Sequence, residues 1–441
     1  MKTHQSHRCI LTLAMLYSHN GFASIDLDQL KKLFNSGDSQ AAYEYAHSEV
    51  LTHEGEPVFD YYYGASAIDV GQSSEGVFAL ERVLDSQPNN HAARLELARG
   101  YFILQEYARA RAEFNTVLKY NPPDDVSERI YNYLDSIRLQ EDRYKTTSTV
   151  YAEFGYGSDS NINSGPSNPT ITFLGQTGQL NASALEQKDN VTKIKVNYGF
   201  STPLTAKSSF NASINASLNN NSDHSELNSA TYTESAGFRY LHAQDTYLID
   251  LIAQQFSIDN KDYRQLTGIN SNWKRNLSQL STLQTYLQLS KQDFDGQETR
   301  NVDTILLGVG LTKRFNAALS PVIFSSLYIA QDNPERNSDI AKQIAERDYY
   351  GARIGAILST SAKTSSQLSI NYQSSQYGLK DDTNGILRED DHSSAEYNFT
   401  WLVSRNWSLL ADASYIQNES SNTINAYDRK QFSVSLHYEM K

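Results

Sequence analysis

The sequence predicts a multi-domain chain: an all-α tetratricopeptide-repeat domain followed by a 14-stranded antiparallel transmembrane β-barrel. Three observations point there. Helical hairpin signatures recur with a 34-residue period in the first third. From Thr149 onward the apolar pattern changes to a period of two. The connections between the alternating segments are long and short by turns, with aromatic residues beside the short ones. The expected boundaries are residues 1–23 for a signal peptide, 24–140 for the repeats, 141–148 for a linker and 149–441 for the barrel.

The first residues read as a secretory signal. Lys2 and Arg8 supply a positive start, Cys9 to Tyr17 a short apolar core, and Gly21-Phe22-Ala23 before Ser24 the small residues of a cleavage site. A short buried helix is the alternative. Cys9 is the only cysteine. Its loss with the signal would leave neither disulfides nor thiolate metal sites. No run approaches the roughly 18–20 apolar residues of a membrane helix, and the mean hydropathy is −0.56. Barrel strands alternate apolar and polar residues, so a membrane barrel has this soluble-looking hydropathy.

Proline recurs at Pro88 and Pro122, 34 residues apart. A repeat starting at His91 then places Ala98 and Ala110 where the two helices of a hairpin must approach closely, and Tyr101 and Phe114 between hairpins. The repeat before it, from Pro57, has Gly64, Gly76 and Leu80 at the matching places. A looser copy from Leu27 has Ala42 and Ala46. Val126 to Gln140 reads as a closing helix. Three hairpins are near the minimum that buries a continuous core. A helical bundle with accidental spacing is the alternative. Such stacks bind peptides in a concave groove, and the first-helix positions Tyr61, Asp69, Arg99 and Phe102 are the candidate groove residues. Ordinary solvated or packing roles remain open for each.

Phe210 to Leu218 alternates without a fault, so one face is apolar and the other polar. The same holds for Thr192 to Phe200, Leu368 to Tyr372, Ala395 to Val403 and the final Phe432 to Tyr438. Strands are expected at 149–158, 191–200, 208–218, 230–241, 246–257, 263–274, 279–291, 301–314, 320–331, 348–359, 365–377, 393–403, 407–417 and 429–440. Long connections include Asp159 to Asn190 and Gly378 to His392. Short ones include Ser201 to Lys207, Arg275 to Ser278 and Ser404 to Asn406. Outer-membrane barrels have short periplasmic turns and long external loops. An even strand number puts both barrel ends, and the repeats, on the periplasmic side. Tyr198, Phe200, Phe210, Tyr240, Tyr247, Trp273, Phe315, Trp401 and Trp407 lie beside short turns, as an interfacial girdle requires. A soluble β-sandwich explains the alternation but not this pairing of turn length with aromatics. Outer-membrane lipids are thus an expected partner.

The net charge of −13 argues against nucleic acid, whose phosphates need clustered Lys and Arg. The ten His residues show no HxxxH or HExxH spacing, and there is no Walker loop or GxSxG elbow. No metal site, cofactor or catalytic residue is therefore nominated, although a hydrolase on the barrel rim stays open. Glu389-Asp390-Asp391 reads either as a calcium site or, more simply, as solvated loop charge. Lys193, Lys195, Arg239, Arg353 and Glu396 are expected to line the lumen, as part of a path or only of its wet interior.

The run Tyr156-Gly157-Ser158-Asp159-Ser160-Asn161-Ile162-Asn163, with Pro166 after it, sits at the start of the barrel directly after the repeats. With the signal, the short repeat stack and the barrel, it makes nearly the whole mature chain resemble the surface lipoprotein assembly modulators, or Slam proteins, of Gram-negative bacteria. Those proteins carry a similar Asp-x-Asn-x-Asn segment after their first strand, here Asp159, Asn161 and Asn163. One departure is the chain end, where Tyr438 is followed by Glu439-Met440-Lys441 instead of closing on an aromatic. The resemblance implies export: client lipoproteins, or secreted haem- or metal-acquisition proteins, move from periplasm to cell surface. It also implies insertion by the barrel-assembly machinery. A polysaccharide export porin and a diffusion porin with an accessory periplasmic domain are the alternatives.

Overall fold

A computed structural model describes residues 26–173, 176–380 and 385–440. The expected signal peptide, 1–23, lies outside them. The chain forms two compact units that meet in sequence at Leu139 and Gln140.

The first unit is helical: α1 (Leu27–Asn35), α2 (Ser39–His47), α3 (Val50–His53), α4 (Pro57–Asp69), α5 (Ser73–Ser86), α6 (His91–Ile103), α7 (Tyr107–Leu118) and α8 (Asp124–Glu141). The starts of α4 and α6 are 34 residues apart, as are those of α5 and α7. Local chemistry sets these starts. Pro57 opens α4, where a missing N–H is harmless. The Asp38 and Asn90 side chains accept from the Ala41 and Ala93 amides. The small residues do what the repeat pattern demands. A Cβ on Gly76 would fall 2.6 Å from the Gly64 carbonyl oxygen and from Ile68 Cγ1, so α4 and α5 touch through these glycines. Ala98 and Ala110, buried, take the same places in the next hairpin. Tyr101 and Phe114 join Leu80, Ile130, Leu134 and Ile137 in one core, which α8 closes. Asp60, fully buried, holds Arg82 through two hydrogen bonds of 2.6 and 2.9 Å and accepts from the Gly55 amide, so this ion is paired and hydrogen-bonded.

The second unit is a closed barrel of fourteen antiparallel strands. They are β1 (Thr147–Asp159), β4 (Asp189–Pro203), β5 (Ser208–Asn221), β6 (Ser229–His242), β7 (Asp245–Ile258), β8 (Lys261–Ser278), β9 (Ser281–Phe294), β10 (Val302–Arg314), β11 (Val322–Pro334), β12 (Arg347–Ser361), β13 (Thr364–Lys380), β14 (Leu387–Leu402), β15 (Trp407–Ser420) and β16 (Tyr427–Met440). A separate hairpin, β2 (Thr170–Phe173) and β3 (Gln176–Gln179), occupies the β1–β4 connection, and α9 (Asp339–Ile344) the β11–β12 connection. β1 pairs with β16 on one side and β4 on the other, and this pairing closes the sheet.

Register settles the two faces. Phe154 lies between Leu436 and Ile194, all facing out, while Glu153 lies between His437 and Lys195, facing in. The outward face carries Tyr198, Tyr240, Tyr247, Trp401 and Trp407 toward the short turns, and Tyr156, Tyr232, Tyr350 and Tyr415 toward the long loops. These form two aromatic belts around an apolar band.

Each expected strand exists, but some expectations need correction. β8 runs on to Ser278, so the turn there is Gln279-Leu280 and not Arg275 to Ser278. β14 begins at Leu387, six residues before the expected 393, because Glu389–His392 goes on pairing with β13 and, past a register shift, Leu387 meets Lys380. The alternation of loop lengths fails at two places: the β10–β11 connection on the short-turn side spans residues 315–321, as long as the β9–β10 loop at 295–301, and one loop on the other side is very short. β7 and β8 join through Asp259-Asn260 alone, at φ of 53° and 57°, a left-handed pair that Asp and Asn tolerate in a tight hairpin. Residues 141–148, expected as a linker, hold the last residue of α8, a 3₁₀ turn at Asp142–Tyr144 and the first two residues of β1.

Gly76→Val should destabilise the α4–α5 contact by about 1–3 kcal/mol through overpacking. Hydrogen exchange across residues 57–118 should speed up, while the heat-modifiable gel mobility of the barrel stays unchanged.

Candidate functional site

Three places carry functional groups: the exposed side of the helical unit, the barrel lumen and the long-loop rim. Each is built by side chains that a repeat or a strand register brings together.

In the helical unit, Asp69 ends α4 and Arg99 lies in α6, nearly one repeat apart. Arg99 Nη2 donates to Asp69 Oδ1 at 2.6 Å and sits 2.9 Å from Glu96 Oε2. Ser39 Oγ donates to the other Asp69 oxygen at 2.7 Å. Burial pushes the Glu96 carboxyl up, and Arg99 only partly offsets this. Tyr61 stands edge-on to Tyr62 at 5.0 Å and to Phe34 at 6.4 Å. Its phenol is pushed up by burial, and by the charge of Glu96. So Asp69, Arg99 and Tyr61 share one polar-aromatic cluster. Phe102 does not join it. Its ring is 5.0 Å from Tyr133 of α8 and 5.9 Å from Tyr107, packed against the core. Glu96 was not nominated from sequence, although its place one turn before Arg99 is a visible signal.

A second cluster ties α2, α4 and α5. Tyr63 Oη and Tyr43 Oη donate to Glu75 Oε2 at 2.6 and 3.0 Å, with His47 at 3.6 Å. The Tyr63 and Tyr43 hydrogen bonds hold the Glu75 carboxyl below its usual range against burial, which pushes it up.

In the barrel, all five nominated lumen residues face inward. Lys195 Nζ lies 3.1 Å from Glu153 Oε1, a buried carboxylate that also approaches His437 at 4.0 Å. Lys193 Nζ donates to Ser433 Oγ at 3.3 Å. Arg353 reaches Ser369 Oγ at 3.4 Å and Glu396 at 3.7 Å, and its guanidinium stands 5.3 Å from the Phe324 ring centre. Glu396 in turn accepts from Asn371 and Ser369. Arg239 faces inward two positions along β6 from Gly237, the register partner of Asp250. These groups sit on different walls and form no single centre. Among the described residues no group of three His, Cys, Asp or Glu is arranged to hold a metal ion.

The Asp159-x-Asn161-x-Asn163 segment lies at the far end of β1, on the long-loop rim away from the helical unit's attachment. Its three side chains divide the work. Asp159 accepts from Arg429 Nε and Nη2, at 2.5–3.0 Å, and from Gln431 Nε2 at 2.7 Å, which joins β1 to β16. Asn161, fully buried, bonds both the N–H and the C=O of Gly165 and donates to the Asp428 carbonyl. Asn163 donates to the Leu185 carbonyl and accepts from the Gln187 amide, tying the outgoing and returning halves of the loop. A Cβ on Gly165 would fall 2.7 Å from the Ala184 carbonyl oxygen, so glycine permits this close approach. Together they latch the barrel seam and knit the base of its first loop.

Two more arginines near this rim close on aspartates, Arg347 on Asp332 at 2.8 Å and Arg388 on Asp390 at 2.6 Å. They line a polar cavity of about 270 Å³ with Tyr377, His392 and Ser164, the last from the β1–β4 loop. Asp390 thus serves Arg388 and Ser420 rather than standing as free loop charge. Arg388 and Asp390, two apart on one face of β14, carry a local signal, whereas Arg347 and Asp332 meet only through the β11–β12 pairing.

A family model described as surface lipoprotein assembly modifier matches residues 149–439. A curated relative, the surface lipoprotein assembly modifier of Pasteurella multocida (strain Pm70), is 22% identical over 398 residues, covering 83% of this chain and 73% of the relative. Among solved structures, the outer membrane channel DcaP of Acinetobacter baumannii aligns over 67% of this chain and 98% of its own, at 10% identity and a TM-score of 0.40. The Yersinia enterocolitica type III secretion chaperone SycD, solved with a peptide of the translocator YopD, covers 26% of this chain and 91% of its own, at 16% identity and a TM-score of 0.24.

Two outcomes follow from the geometry. Arg429→Ala leaves a buried carboxylate unpaired and should lower barrel stability by about 3–5 kcal/mol. In urea unfolding of the lipid-embedded chain, adding Asp159→Ala should recover part of that loss, whereas additive losses would deny the latch. Glu75 works in the opposite place and through pH. Its depressed carboxyl contributes stability that is complete above the ordinary glutamate value of about 4.3 and is lost as pH falls from there through the lower folded value. Glu75→Gln should therefore flatten the acid side of the helical unit's melting profile below about pH 5.

Proposed function

The chain belongs to the surface lipoprotein assembly modifiers, and on that premise we propose that it captures specific client proteins in the periplasm and delivers them through the outer membrane to the cell surface. The clients in this reading are surface lipoproteins, or secreted haem- or metal-acquisition proteins. The observation that carries it is the attachment of the helical hairpins. α8 ends at Glu141 and β1 begins at Thr147, on the short-turn rim, which in outer-membrane barrels faces the periplasm. A client bound by the helical unit is therefore held on the side from which it must enter.

Hairpin stacks bind extended or helical segments in their grooves. The Asp69–Arg99 cluster with Tyr61 offers charge of both signs beside an aromatic surface, which suits a mixed peptide. The lumen offers Lys193, Lys195, Arg239, Arg353 and Glu396 among Ser and Asn side chains, a wet surface on which a polypeptide slides without a deep energy minimum. The sequence holds no nucleotide-binding motif, so the driving term proposed is the folding of the client at the surface. The barrel-assembly machinery is proposed as a partner only while the barrel is inserted.

Deletion of residues 25–140 should abolish display of a cognate client on intact cells, read by antibody binding, while the barrel still inserts. Unchanged display would sink the capture role. In planar bilayers the chain should be closed at rest; steady conductance would favour a porin instead.

A further inference from the structure

The outward-facing charges of the barrel strands sit near a rim, with one departure. Lys291, Asp303, Asp348, Asp391 and Lys430 lie toward the long loops, and Arg275 and Lys313 toward the short turns. Several are compensated there: Lys291 lies 2.5 Å from Glu335, and Arg275 lies 3.9 Å from Asp245. Glu234 is different. It is the sixth of the fourteen residues of β6, and its register partners on the outward face are Ile214 of β5 and Ala253 of β7. Tyr232 stands on its long-loop side, Phe238 and Tyr240 on its short-turn side, all three exposed. Glu234 is itself exposed, and no hydrogen bond or ion pair reaches it among the described residues. At about 3.4 Å per residue, it lies roughly 7 Å along the strand inside the Tyr232 belt.

A charged group in hydrocarbon is expensive and persists where something answers it. Lipid chains have no donor, and lipid head groups lie outside the aromatic belts. A second copy of this chain has no answer either, since its outward cations lie at the rims. Two further features favour close approach of a protein here. Ala212, Ala216, Ala236 and Ala253 lie around Glu234 on the outward face, leaving small-side-chain hollows between the exposed Ile214 and Leu251. Beside it, β7 and β8 join by only two residues, so on that side no long loop overhangs the wall.

We infer that the outward face of β5–β7 around Glu234 docks a different outer-membrane protein, one whose lipid-facing surface presents an arginine or lysine at the same depth. Small side chains let two membrane surfaces approach closely, and a desolvated charge pair then fixes their register. This inference does not rest on client capture, and the two fail independently.

The test places a photo-crosslinking residue at Ala253 in the full-length chain within living outer membranes. The expected product is an adduct with one other outer-membrane protein, its linkage mapping beside a membrane-facing Arg or Lys. Glu234→Leu should reduce that adduct about tenfold or more, the loss of one desolvated charge pair, while the barrel inserts as before. Charge reversal of the partner's cation should restore the adduct to Glu234→Arg. If Glu234→Arg fails to insert, Glu234→Leu still decides, since leucine suits lipid. A self-adduct, a lipid-only adduct, no adduct, or one indifferent to Glu234→Leu would each overturn the inference.

Discussion

Within a bilayer a backbone amide has no water to bond, so a sheet that crosses it must have no free edge. Most of this barrel answers to that constraint. Thirteen of its pairings join strands adjacent along the barrel sequence, and the fourteenth joins β1 to β16 across almost the whole unit. Backbone register alone closes this seam, but side chains secure it. Gly155 and Gly157 leave room on the inner face, where a Cβ would meet Ser435 Oγ at 2.2 Å and the Phe432 carbonyl at 2.1 Å. Above them Asp159 holds Arg429. Below, Glu153 lies between Lys195 on β4 and His437 on β16. The wall that must not open thus carries inward polar pairing at both ends.

Much of this was legible in the sequence because membrane strands write their geometry locally. Period-two alternation from Phe210 to Leu218 states both faces of β5 without reference to any other strand. The helical repeat was legible for a similar reason: Gly64, Gly76, Ala98 and Ala110 are contact residues whose spacing is the structure. Legibility failed where local pattern ended. Arg388 to His392 is polar and charged on both faces, so β14 showed no alternation there. Arg275 to Ser278 reads as a turn because it is polar and lies at the belt. Asp259-Asn260 was a readable tight turn, obscured by the expectation that every second loop is long.

The candidate site divides in the same way. Asp69 and Arg99 fall at nearby levels of successive first helices, so their meeting follows from the repeat. Phe102 meets Tyr133 of α8, a helix that belongs to no repeat, so the repeat spacing did not show that contact. Asn161 could be singled out by its motif but not explained by it, since one of its partners, Asp428, is 267 residues away. Glu234 was visible as a fault in the run Tyr232, Glu234, Ala236, Phe238, yet it acquires meaning only once register shows that this row faces lipid.

The latch also orders events in time. Asp159 and Arg429 are 270 residues apart, while neighbouring strands meet across turns as short as two residues. Ring closure over such a span comes late in folding, since its entropy must be met before its contacts reward it. Until β16 arrives, the outer edge of β1 presents unbonded amides beside a buried-to-be carboxylate. The nascent barrel therefore passes through an open sheet whose two edges are chemically unlike: one tipped with an acid and the other with a base. Those tips attract at a distance, and each edge favours the other over a second copy of itself, which guards the open sheet against pairing with the wrong molecule.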